Sequence, residues 1–487
     1  MRQLLVLCLV FALVGCVVLL PAQTAQERTS APTATATPTP TPSPSPSPTP
    51  PAPTVTVEPY RDEAARIIGA ALMDETAYRR LSYLTDRIGH RLSGSRQLEE
   101  AVTWAVAEMK RDGLERVRAE KVLVPRWVRG QESAELIEPV RRPLVMLGLG
   151  NSVGTPPAGI EAEAVVVTSF DQLDALAERV RGKIVVYNVP FTTYSATVTY
   201  RSRGASRAAS HGAVAALVRS VGPVSLSTPH TGSLTYADDQ PKIPAAALTI
   251  EDAELLARMQ ARGERIRLRL KMDAKFLPDA ESANVVAEIR GRERPEEVVL
   301  VGGHLDSWDV GQGAHDDGGG CIAAWEVLRL LKQLKLRPRR TIRVVLFTNE
   351  ENGLRGGNAY RDAYKAEAGN HVLAIETDSG IFRPTGFGLA QEASPQTRAN
   401  VQELARLLRS IGADRIDPDG GGADIDPMMK EGMTGMSLNV EGSRYFHYHH
   451  TPADTLDKID RQDFSLCVAA MTVMAYVAAE TPVRLDR

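Results

Sequence analysis

Residues 302–320 read GGHLDSWDVGQGAHDDGGG and residues 348–357 read TNEENGLRGG, and each follows a short apolar run, 298–301 and 342–347, the second interrupted only by Arg343. A continuous apolar run of this length is a strand buried on both faces of a sheet. Further runs at 285–289, 371–375 and 436–440 are mostly apolar, and helical patterns at 319–336, 399–411 and 462–479 lie among them. The alternation predicts an α/β fold with a mixed, mostly parallel central sheet flanked by helices. Such a sheet places its site at the carboxyl ends of its strands. The polar clusters fall there: the two quoted stretches, Glu376-Thr377-Asp378 after the third run, and FHYHHTPADT at 446–455.

Five of the nine histidines of the chain lie inside these clusters, together with Asp306, Asp309, Asp316, Asp317, Glu350, Glu351, Asp378 and Asp454. Imidazole and carboxylate without thiolate suit zinc, cobalt or manganese. A carboxylate shared between two ions holds them about 3.5–4 Å apart, so the donor set points to a two-metal hydrolytic site. The adjacent glutamates fit that chemistry, because neighbouring side chains at a strand end diverge. One can ligate a metal while the other faces the attacking water as general base.

Working outward, the chain has 487 residues, enough for two or three domains. With 57 Lys+Arg against 60 Asp+Glu the net charge is -3, which leaves no basic excess for nucleic acid. Residues 1–25 carry Arg2, an apolar run over 4–20 and then Ala, Gln and Thr, the layout of an export signal. Within it, Leu13-Val14-Gly15-Cys16 resembles a lipoprotein cleavage box, with an uncleaved anchor as the alternative. Residues 26–57, including PTPTPSPSPSPTPPAP, form a Pro/Ser/Thr-rich linker that favours extended polyproline II. An exported protein follows, at the cell surface, in a periplasm or outside the cell, with a possible membrane tether. Beyond Cys8 and Cys16 only Cys321 and Cys467 remain, which excludes a disulfide framework; both sit in apolar helical patterns and read as buried thiols, with a single pairing as the alternative.

The folded part begins near residue 58, where the best helical pattern runs over 96–112 and stops at Gly113. From about residue 159 a separate βα texture appears: strands at 164–168, 183–188 and 243–248, helices at 171–181 and 251–259, and an apolar segment at 213–218. Residues 265–273 alternate strictly, as a half-buried strand does. The division expected is a main domain over 58–150 and 272–487, interrupted by an inserted α/β domain over 151–271.

These stretches resemble the co-catalytic zinc aminopeptidase superfamily, and within it the carboxypeptidase Q family, also called plasma glutamate carboxypeptidase. LTDRIGHRLSGSRQLEEA at 84–101 and PRWVRGQESAELIEP at 125–139 are similar to that family in particular. The resemblance implies two zinc ions per chain, with His304 and Asp378 on one, Glu351 and His450 on the other, and Asp316 bridging. It implies Glu350 as the catalytic base and Asp306 as the carboxylate that orients the His304 ring. It also implies a cis peptide between Asp316 and Asp317, a homodimer, and a protease-associated identity for the insert, which would cover the site and limit substrate size. His450 is chosen over His447 and His449 because the family's ligand directly precedes Thr or Ser of the HT-x-x-DT pattern. The resemblance further implies exopeptidase action on dipeptides or short peptides with a free amino terminus. Asp424 is a candidate partner for a substrate ammonium, and Arg444 or Tyr448 for a carboxylate or oxyanion. The alternatives are a catalytically silent cell-surface binding protein of the same fold, and an amidohydrolase or cyclase on the same metal site.

Overall fold

In the computed structural model, which describes residues 51–486, strand Arg294–His304 lies at the centre of an eight-stranded mixed sheet. It pairs in parallel with Arg340–Phe347 on one side and His371–Glu376 on the other, and the latter pairs in parallel with Gly435–Val440. All eight side chains of Arg340–Phe347 and all six of His371–Glu376 are buried, the apolar ones as a doubly covered sheet requires and Arg340 and Arg343 in pairs with Glu297 and Glu288. Lys275–Ile289 and then Glu115–Val128 extend the sheet antiparallel on one edge. Pro384–Leu389 adds antiparallel to Gly435–Val440 on the other edge, with Arg415–Pro418 parallel beyond it. The register brings the site together: His304 lies opposite Phe347 and Gly302 opposite Glu376, so three polar clusters begin at one level of the sheet.

Helices cover this sheet. The expected helix near 96–112 spans Arg96–Arg111, and the Ser95 hydroxyl caps it by accepting from Leu98 N at 3.2 Å. Arg461–Glu480 is apolar on nearly every face because it is enclosed, packing on Arg61–Met73 and Gly319–Gln333. Cys321 and Cys467 are buried free thiols in two of these helices.

A second eight-stranded sheet lies within 132–272. Ile160–Val167, Ile184–Tyr187, Ala215–Arg219 and Ala245–Leu248 form its parallel block. Its start corrects the boundary at residue 151, because Glu132–Glu138 already pairs with Arg267–Met272. The charged residues of Glu132–Glu138 obscure its alternation. The helix Tyr194–Ser210 was not anticipated at all: its buried residues are Thr197, Arg201, Gly204, Ala205, Ser206, Ala208 and Ala209, without a large apolar residue to mark the period. The export signal, Cys8, Cys16 and most of the linker lie outside the described residues.

Candidate active site

His304 ends its strand, and its Nδ1–H donates to the Asp306 carbonyl at 2.9 Å. In the neutral ring that bond leaves the lone pair on Nε2, which faces Asp316 Oδ1 at 3.2 Å and Asp378 Oδ1 at 3.5 Å. His450 Nε2 faces the other Asp316 oxygen at 3.2 Å and Glu351 Oε2 at 3.1 Å. One carboxylate therefore addresses two imidazoles, each beside a further carboxylate. His304 Nε2, Asp316 Oδ2 and Asp378 Oδ1 are buried and lack an aligned hydrogen-bond partner. Buried polar atoms converge without satisfying one another where a cation would satisfy them all. The donor set fits divalent metal ions of the zinc type.

The loops are held by carboxylates that are not themselves candidate ligands. Asp454 accepts from His315 N at 2.7 Å and Asp316 N at 3.1 Å. Asp317 accepts from His304 N and Gly320 N, both at 3.1 Å. Gly303 and Gly320 make room for Asp317, since a Cβ at either would collide with its carboxylate. The Asp316–Asp317 peptide is cis. Asp306 differs in detail from its expected role. Its carbonyl orients His304, while its carboxylate lies 3.9 Å from Nδ1 and accepts from Glu350 N at 3.0 Å and Glu351 N at 3.3 Å.

Electrostatics follow from this crowding. Burial, then the neighbouring Asp378, Asp306 and Asp316, push the Glu350 carboxyl up to about 8, with His304 opposing. Burial opposes a charge on His304, but Asp378 and Asp316 outweigh it and raise the ring well above its usual range. Asp316, despite burial, is held well below the carboxylate range by His304 and His450.

A cavity of about 800 Å³ opens on this cluster, lined by Asp316, Glu350, Glu351, Asp378, His449 and His450. The inserted segment supplies Tyr194, Arg201, Ser233 and Thr235 to the same wall. His449 stacks on His450 at 3.5 Å between centroids, and its Nε2 lies 3.7 Å from Asp316. His447 is not in the wall, and His315 is a packing residue that accepts from Ile381 N and stacks on Phe382. Neither Arg444 nor Tyr448 reaches the cavity: Arg444 lies over the Phe382 ring and Tyr448 stacks on His315. Tyr445 lines the cavity instead. Asp424 is buried outside the wall, with both carboxyl oxygens unpartnered and its N–H directed at Glu376.

Several residues of this site carried no role in the sequence. Arg91 donates to the carbonyls of Leu305, Gln312 and Gly313 and so pins the loop after His304. Ser93 receives Asn349 Nδ2 at 2.9 Å. Both lie in the 84–101 stretch that carries the family resemblance. Tyr194 and Arg201 had no such signal.

Residues 284–476 match peptidase family M28. The chain is 47% identical over 431 residues to carboxypeptidase Q of Mus musculus, covering 88% of this chain and 91% of that protein. Human carboxypeptidase Q is 46% identical over 429 residues, covering 88% and 90%. The crystal structure of a peptidase M28 precursor from Shewanella amazonensis superposes with a TM-score of 0.85 at 34% identity, covering 88% of this chain and 99% of that one. A zinc aminopeptidase from Bacillus subtilis shares the fold, with a TM-score of 0.64 at 21% identity, covering 85% and 97%. With a site built from histidines and carboxylates at the strand ends of that fold, the chain is a metallopeptidase and belongs to the carboxypeptidase Q group of peptidase family M28.

Proposed function

We propose that this protein is an exported exopeptidase that hydrolyses dipeptides or short peptides on two zinc ions. The observation that carries the reading is the Asp316 carboxylate, whose two oxygens lie 3.2 Å from His304 and from His450, with Glu350 in the same cavity wall. His304 and Asp378 would hold one ion, Glu351 and His450 the other, and Asp316 would bridge them. Ions there would lower the pKa of a water toward neutrality and polarise the scissile carbonyl. Glu350 accepts the proton of the attacking water and returns it to the leaving amine. Asp306 holds Glu350 and Glu351 through their N–H groups, so that one faces the cavity and the other His450.

The insert is assigned as a protease-associated-like domain that covers the site, a role supported by its share of the cavity wall. Crowding by that wall favours short substrates. Export is supported by the apolar run at 4–20 and the Pro-rich stretch after it, with Cys16 as the candidate lipid site. Cys16→Ser should release the protein from membranes or block its maturation. Identical fractionation of mutant and parent would remove the lipid from the proposal. The homodimer implied by the family resemblance is checked by light scattering of the purified protein.

The deciding experiment incubates purified protein with a dipeptide library, with and without a chelator. Chelator-sensitive release of free amino acids is expected. Absence of any chelator-sensitive product would sink the exopeptidase reading.

A further inference from the structure

Resting on the exopeptidase reading, we propose that Arg201, carried into the cavity by the inserted segment, binds the C-terminal carboxylate of the substrate. The residue released is then the last of the peptide. Arg201 is 6% exposed, and among the described residues no carboxylate pairs with it. Its Nη2 donates to the Tyr194 hydroxyl at 2.9 Å, its Nη1 lies 3.4 Å from the Thr231 carbonyl and 3.3 Å from His450 Nδ1, and its Nε has no partner.

The other buried arginines are compensated. Arg80 pairs with Asp112 and Glu326, Arg129 with Asp309, Arg340 with Glu297 and Arg343 with Glu288. Arg91 is held by four main-chain carbonyls. A buried guanidinium without an anion is costly, and its planar fork matches a carboxylate. Arg201 therefore presents an unmet demand for an anion at the wall of a substrate-sized cavity.

Its place suits a peptide terminus. Arg201 lies across the His450 ring from the Nε2 that faces Asp316 and Glu351. A dipeptide carries its carboxylate one residue beyond the scissile carbonyl, about 3.3–3.6 Å of extended chain. An imidazole that gives its Nε2 lone pair to a cation carries its proton on Nδ1, which turns Nδ1 from acceptor to donor. Arg201 Nη1 then loses that acceptor, and a substrate carboxylate replaces it. The other arginine of the cavity wall, Arg415, is mostly exposed and already paired with Asp417 at 2.8 Å.

The test compares matched dipeptides with free and amidated C-termini on the zinc-loaded full chain. The parent should prefer the free acid by roughly 10- to 100-fold in kcat/KM, the range of a charge-assisted contact. Arg201→Met should erase the preference by slowing the acid alone, Arg201→Lys should restore part of it, and Arg415→Met should leave it intact. The acid-to-amide ratio does not depend on how much of a variant is folded. Calorimetry on Glu350→Gln protein, which is expected to bind without turnover, should show the acid binding more tightly than the amide. Equal rates in the parent, a ratio that survives Arg201→Met, a ratio lost only with Arg415→Met, or equal or absent binding of acid and amide would each overturn the assignment. No hydrolysis of either dipeptide beside tighter binding of the acid would instead count against the exopeptidase reading alone.

Discussion

Adjacent in sequence, Glu350 and Glu351 have different surroundings. Glu351 is 5% exposed, with one oxygen 3.1 Å from His450 Nε2 and the other accepting from Trp308 N at 3.2 Å, whereas Glu350 is open to the cavity. Glu350→Gln keeps the shape and removes the proton acceptor, so turnover should fall by roughly 10²–10⁴-fold with metal content unchanged. Glu351→Gln should lose part of the metal and recover activity at high zinc. Metal analysis beside the rate decides it: loss of an ion from Glu350→Gln, or two ions and full activity in Glu351→Gln, would reverse the roles. Asp454 works through the backbone, receiving the N–H groups of His315 and Asp316. Asp454→Asn leaves one of those groups facing an amide N–H, and should cost about 1–3 kcal/mol of stability and weaken metal binding together. Unchanged denaturant midpoint and zinc affinity would show that the Asp316 loop stands without it. The pattern of His, Asp and Glu at strand ends made the cluster of imidazoles and carboxylates legible, and the family resemblance proposed the ligands within it. Arg201 was illegible, because one of three arginines in a helix without large apolar residues on a regular spacing carries no signal that sets it apart.

At the scale of elements, the parallel register of Arg294–His304, Arg340–Phe347 and His371–Glu376 delivers three polar loops of the candidate site to one level. The fourth loop is steadied from the insert. Thr231 N donates to the His450 carbonyl at 2.9 Å, and His450 has the left-handed φ of 60° that a residue with a Cβ adopts only when held. Excising residues 159–256 with a short linker should therefore weaken the ion assigned to Glu351 and His450 while the His304–Asp378 side keeps its own. Metal stoichiometry by mass spectrometry reads this directly. Two tightly bound ions in the excised protein would make the insert a cover alone. The apolar strands were readable because burial on both faces demands continuous apolar sequence. Glu115–Val128 was not: it is an edge strand with charged residues facing solvent and Pro125 within it.

For the whole molecule, the enclosed carboxyls tie stability to pH in the metal-free state. Above about pH 6.5 the carboxyls of an unfolded chain are ionised and its histidines mostly neutral. In the fold, burial first and neighbouring acids second hold Glu350 up to about 8 and Glu376 up to about 7, and burial with Asp316 nearby holds Asp454 up to about 7. The native state therefore binds more protons than the unfolded chain between about pH 6.5 and 8, and its stability falls as pH rises through that window. The raised His304 contributes with the same sign. The melting temperature of metal-free protein should drop across this range. Zinc-loaded protein should lose much of that slope, because metal binding expels the protons. A metal-free melting temperature that is flat or rises with pH would overturn the account.

Taken alone, the sequence determined what repeats or clusters along the chain: the doubly buried strands, the helices with large apolar stripes, and the imidazoles and carboxylates gathered in GGHLDSWDVGQGAHDDGGG and TNEENGLRGG. Periodicity and composition are local, and they survive without a fold. The tertiary structure decided what depends on distance between remote residues. It set the start of the second sheet at Glu132, through a pairing with Arg267–Met272 far along the chain. It turned Arg444 and Tyr448 away from the cavity and brought Arg201 and Thr231 against His450, more than two hundred residues away. No sequence window spans such contacts, because packing chooses which surfaces meet.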